Sequence, residues 1–220
     1  MKKISISLIA LFIASVGISQ AITDRNTIPV AVNLNRVLRM SVNTGGNIEF
    51  TFNTINQYKL GISGDQATSN SQGRTQANPM YITTFTVAAS TKWRLDYGAE
   101  DATFIGVDNP ANTALALDNV GFSLTSTGAH AFAAELVSAP TNGGAEVAAL
   151  QAYPVVLIAD GGDATAANAG DATDNAFTMT WRCGTLEGGV TTPMNTLALI
   201  EQGRAPDRYV TNVLFNLIAQ

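Results

Sequence analysis

Cysteine occurs once in the 220 residues, as Cys183, and histidine once, as His130. The lone cysteine excludes an intramolecular disulfide, so stability has to come from a hydrophobic core, which a chain of this length can build. The lone histidine excludes a multi-histidine zinc site, and His130 reads as an ordinary surface or loop residue rather than a member of a Ser-His-Asp triad. Charge is also scarce: Asp, Glu, Lys and Arg together make up 13% of the chain, and lysine beyond the first three positions is confined to Lys59 and Lys92. Binding nucleic acid takes a clustered basic surface, and the arginines here are scattered through a chain of net charge −5, so no nucleic-acid partner is expected. Gly45-Gly46 and Gly161-Gly162 lack the following Gly-Lys-Ser of a phosphate loop and are turn glycines.

What is present first is an export signal. Lys2 and Lys3 precede an apolar run over residues 4–18, and Ser19-Gln20-Ala21 places small residues at the two positions a signal peptidase reads. The run is short of the roughly 20 apolar residues of a spanning helix and polar Thr23-Asp24-Arg25-Asn26 follows, so residues 1–21 are expected to be a signal peptide and the mature chain to carry no membrane span. Secretion to the cell surface or beyond is the expected location. Without the leader the chain begins at Ile22 and holds ten basic against 17 acidic residues, a net charge of −7.

Period-two alternation dominates the rest. Even positions from Ile28 to Val42 are apolar apart from Arg36, and the same pattern returns in Ile48-Glu49-Phe50-Thr51-Phe52, in residues 81–87, 93–97, 120–124 and 177–183, and in residues 209–217. Turn clusters such as Asn43-Thr44-Gly45-Gly46-Asn47 and Asp108-Asn109-Pro110 separate them. Short half-apolar strands with this punctuation predict an all-β antiparallel sandwich of immunoglobulin or pilin type, with long polar loops over residues 63–79 and 160–175 and little helix. About two helical turns are expected over residues 145–152, ended by Pro154.

The residues with chemistry to offer mostly have a structural explanation. Cys183 falls in phase with Phe177, Met179 and Trp181 on an apolar strand face, where a thiol acts as a small hydrophobe. Trp93 and Trp181 also alternate with apolar residues and are expected in the core rather than stacked on sugars. Glu100 and Asp101 form an acidic turn, and the loop acids Asp160, Asp163, Asp171 and Asp174 carry the hard oxygens that calcium takes. Their spacing fits neither the EF-hand nor the Gly-rich calcium repeat, so a solvated turn is the expectation and calcium the alternative; no other cofactor is implied.

One stretch does not fit within such a domain. Fifteen extended residues from Ile28 span about 50 Å, whereas a domain of this size has a diameter of roughly 40 Å. The Asn33-Leu34-Asn35-Arg36 interruption therefore divides the chain into an extension, residues 22–36, and a sandwich domain, residues 37–220. Ile28, Val30, Val32 and Leu34 then form a candidate donor strand, and Tyr209, Val213, Phe215 and Leu217 mark a candidate acceptor edge. A signal peptide, a short polar tail and an alternating segment ahead of a sandwich resemble the donor-strand fibre subunits of bacterial pili and related surface filaments. The resemblance implies a non-enzymatic structural subunit of an extracellular filament, pilus-like fibre or surface layer, assembled from copies of itself by strand complementation. Chaperone–usher pilins commonly carry a disulfide and a tyrosine next to the last residue, whereas this chain has a single cysteine and ends Leu217-Ile218-Ala219-Gln220. The alternatives are a monomeric secreted carbohydrate-binding or adhesive module, which requires exposed aromatics, and a hydrolase using loop carboxylates.

Overall fold

Alternating segments become strands where a neighbour offers them a ladder of N–H and C=O partners. The computed structural model describes residues 28–64, 81–109, 115–130, 132, 147–160, 168–187 and 192–220. The chain divides into two compact units, Met1–Asn35 and Arg36–Gln220. The expected leader, residues 1–21, and Asp163 lie outside the described residues.

The second unit is mostly antiparallel sheet, consistent with an all-β sandwich-like fold. Its strands are β1 (Leu38–Thr44), β2 (Ile62–Ser63), β3 (Ile82–Ala89), β4 (Trp93–Ala99), β5 (Thr103–Gly106), β6 (Leu115–Ala116), β7 (Val120–Ser126), β8 (Ala148–Ala149), β9 (Val155–Ile158), β10 (Ala176–Cys183), β11 (Tyr209–Val210) and β12 (Val213–Ala219). Strands β1-β3-β10-β7-β8 form one sheet in that order, with β2 pairing the end of β10. A second sheet runs β12-β4-β9 and a small third runs β11-β5-β6.

Aromatic side chains join the first two sheets. Tyr97 on β4 meets Phe122 on β7 edge-on with ring centroids 5.3 Å apart, Trp93 meets Phe177 of β10 at 6.1 Å, and Phe85 of β3 meets Phe215 of β12 at 5.9 Å. Such pairs contribute about 0.5–1.5 kcal/mol each beyond the area they bury. They also fix the phase of every central strand: Phe85 and Val87, Leu95 and Tyr97, Phe122 and Leu124, and Phe177 and Met179 are all fully buried.

Several expectations are corrected. Ile48, Phe50 and Phe52 keep their alternating half-burial, and Phe50 stacks on Tyr81 at 4.7 Å, but residues 47–53 belong to no strand. Apolar contact holds these side chains although, among the described residues, no strand pairs with them. Residues 209–217 are two strands in two sheets, because Asn212 donates through Nδ2 to Glu100 at 2.7 Å and Thr211 donates to Asp101 at 3.3 Å. The acidic turn between β4 and β5 thus draws the chain across from β5 to β4. Residues 147–152 are not helical; Ala148–Ala149 pairs with β7, and Leu150 N–H donates to the Val120 carbonyl at 2.8 Å. The helix that does form, α1 (Ile55–Leu60), follows a capping box in which Thr54 Oγ1 accepts from Gln57 N–H and Gln57 Oε1 accepts from Thr54 N–H. Arg182, expected on a polar face, is buried: its Nη1 donates to Glu187 Oε2 at 2.6 Å and its Nη2 to Ser123 Oγ at 3.3 Å, so the segment after β10 folds back over that face.

The second half of the loop over residues 160–175 is anchored rather than free. Asn168 is fully buried; its Oδ1 accepts from Trp93 N–H at 3.1 Å, its Nδ2 donates to the Trp93 carbonyl at 2.6 Å, and its own carbonyl accepts from the indole Nε1. One amide side chain thus satisfies the end of β4 in the core. Replacing Asn168 by Ala strands two buried main-chain groups, so the unfolding free energy should fall by about 3 kcal/mol, read as a lower urea midpoint at unchanged slope. An unchanged midpoint would show that the clamp is not stabilising.

Candidate self-assembly interface

The described part of the first unit is short and apolar. Ile28, Val30, Val32 and Leu34 are 83%, 84%, 77% and 92% exposed. Residues 28–36 belong to no helix or strand and, among the described residues, make no hydrogen bond. Pro29 falls at an odd position between these residues, on the side opposite the apolar row if the segment is extended.

Of the strands that end a sheet in the second unit, β12 and β1 are the long ones, at seven residues each. In β12 the hydrogen-bonded pairs with β4 are the even residues, since Glu100 N–H donates to the Asn212 carbonyl and Gln220 N–H to the Lys92 carbonyl, both flanking the register Val213↔Ala99 to Ala219↔Trp93. The main-chain groups of Val213, Phe215, Leu217 and Ala219 therefore point away from β4. The side chains of Val213, Phe215 and Leu217 pack against the core while remaining partly exposed. In β1, Ser90 N–H donates to the Val37 carbonyl at 2.9 Å, which turns the main-chain groups of the odd residues toward β3 and those of Leu38, Met40 and Val42 away from it. This edge is interrupted by a register shift between Val42 and Thr44. There Gly45 adopts φ +67° so close to β3 that an added Cβ would collide with the Ile82 carbonyl. Among the described residues nothing pairs with the outer edge of either strand.

No protein-family model matches the chain, and no curated protein matches it.

The remaining candidate residues have structural partners. Tyr209 lies on β11 opposite Gly106 and donates its hydroxyl to the Ala205 carbonyl at 2.8 Å, so it belongs to a different sheet from Val213, Phe215 and Leu217. Asp171 Oδ1 accepts from the Thr173 and Asp174 amides, which holds its carboxyl below its ordinary range, and Asp174 Oδ2 accepts from Asp171 N–H. The two carboxylates cap their own turn; Asp160 precedes the undescribed segment that contains Asp163. Among the described residues no group of three metal-binding side chains converges. His130 is half-buried with its ring edge on Phe132 at 5.4 Å. Trp93 and Trp181 are buried, and the Trp181 indole donates to Thr83 Oγ1 at 2.9 Å, so neither offers a face to a sugar.

Cys183 is buried, and that burial pushes its thiol up to about 12. At pH 8 the native protein should leave an alkylating reagent unreacted, while unfolding in denaturant should expose one reactive thiol; rapid labelling of native protein would contradict the burial. Because the folded pKa is the higher one, this thiol's contribution to stability is complete below the unfolded pKa and is lost as pH rises toward 12.

Proposed function

We propose that this protein is a non-enzymatic structural subunit of an extracellular filament or surface layer, in which one copy lends residues 28–34 to the next. The observation that carries the reading is the row of four large apolar side chains, each more than three-quarters exposed, in a chain whose strands β12 and β1 have no partner on their outer edge among the described residues. Contiguous apolar surface of this kind marks an interaction site, and an open edge is a template for another strand. The leader composition of residues 1–21 supports export. Among the described residues no helix is long and apolar enough to cross a membrane.

The magnitudes show what such an exchange requires. Burying the four side chains yields on the order of 6–12 kcal/mol, and ordering seven residues costs about 1–2 kcal/mol each. These nearly cancel, so net affinity comes from the main-chain ladder and from covering the half-buried residues of the acceptor. A segment given by one surface and taken by another is a heterologous contact, which propagates as a filament when its rotation does not close. The carbohydrate-binding alternative loses its two tryptophans to the core.

The test is negative-stain imaging and light scattering of protein lacking the leader. The intact mature chain should form filaments, while deletion of residues 22–35, or the pair Val30→Asp and Val32→Asp, should leave monomers. Fibres built by the deletion variant, or a monodisperse monomer from the intact chain, would defeat the reading.

A further inference from the structure

We infer that the acceptor is the outer edge of β12, and that residues 28–34 of a second copy join it antiparallel as a fourth strand of the β12-β4-β9 sheet, with Leu34 opposite Val213, Val32 opposite Phe215, Val30 opposite Leu217 and Ile28 opposite Ala219. This rests on the strand-exchange reading and deepens it.

Phase is the main reason. On β12 the residues with outward main-chain groups are the ones whose side chains reach the core, namely Val213, Phe215 and Leu217. In an antiparallel pair, directly opposite residues share a face and exchange both hydrogen bonds at alternate positions. An incoming strand must therefore be apolar at its hydrogen-bonding residues and free to be polar or donor-less at the others. Residues 28–34 meet both demands: Ile28, Val30, Val32 and Leu34 are in the first set, and Pro29, Ala31 and Asn33 in the second. Pro29, which has no N–H, then falls on the new outer edge, where proline is tolerated. A slip of one residue would aim Pro29 into the ladder and Asn33 at the core.

Length and continuity distinguish β12 from β1. The seven residues of β12 run opposite β4 without a register shift and match the seven residues of the donor, whereas β1 offers three outward positions before its shift at Val42. Every ladder between the named strands is antiparallel, which sets the preferred direction.

Cysteine pairs test the assignment. Asn33 and Leu214 become a non-hydrogen-bonded pair in this register, with Cα atoms about 4.5 Å apart, within disulfide reach. Both side chains are exposed, so neither substitution enters the core. The double variant Asn33→Cys with Leu214→Cys should give a ladder of covalent oligomers on a non-reducing gel after mild oxidation. Asn33→Cys with Ile218→Cys, the pair that a parallel donor would align, should give none, and single variants control for Cys183. The opposite result overturns the direction. Filaments that cross-link with neither pair place the acceptor elsewhere and overturn this inference while strand exchange stands. A bond within one chain, or absence of filaments altogether, removes the exchange reading as well.

Discussion

A β-sheet has to end, and each end leaves a row of N–H and C=O groups without partners. In this protein the constraint is met unevenly. Strands β4 and β10 lie inside their sheets and carry fully buried rows of side chains. Strands β12 and β1 terminate theirs with side chains that are only partly covered. The ladder with β4 turns the main-chain groups of Val213, Phe215 and Leu217 outward, and because no next strand follows β12 among the described residues, those groups go unpaired and the side chains stay half-buried. Under the proposed function, a ribbon from a second copy supplies that strand, which would cover both the apolar row and the polar edge at once.

The interior is secured by polar groups that sequence composition undervalues. Asn168 seals the start of β4, and the Arg182–Glu187 pair closes the end of β10. A buried ion pair adds little net stability compared with a hydrophobic substitute, yet removing one partner is expensive. Its effect here is to hold the segment after β10 against the sheet. In a chain without disulfides, such clamps take over the task of tying long connections to the core. Cys183 packs in the core, and the burial that lets its thiol fit there also keeps it protonated.

Much of the fold was legible in the order of residues, because period two is a local property. The alternation around Phe85, Tyr97, Phe122 and Met179 sits in strands β3, β4, β7 and β10, and the burial of Trp93, Trp181 and Cys183 follows from their phase. The helix α1 was legible too, in the spacing of Thr54 and Gln57, but it is short and easily overlooked beside the strand signal. The fold departs from the alternation in segments whose pattern is sound but whose partner, among the described residues, is missing or divided. Residues 47–53 alternate like a strand and have no ladder, while residues 209–217 alternate like one strand and are split by the pull of Glu100 and Asp101.

The sequence by itself determined the all-β class, the phase of the central strands and the apolar row at Ile28, Val30, Val32 and Leu34, because each depends on which residues alternate along a few positions. Only the tertiary structure decided which strands lie at the edges, that Tyr209 and Val213 belong to different sheets, and which main-chain groups of β12 face outward. Those are properties of pairing between residues far apart in the chain. A strand's own sequence carries the direction of its side chains, while the partner on each side determines whether its hydrogen bonds are made.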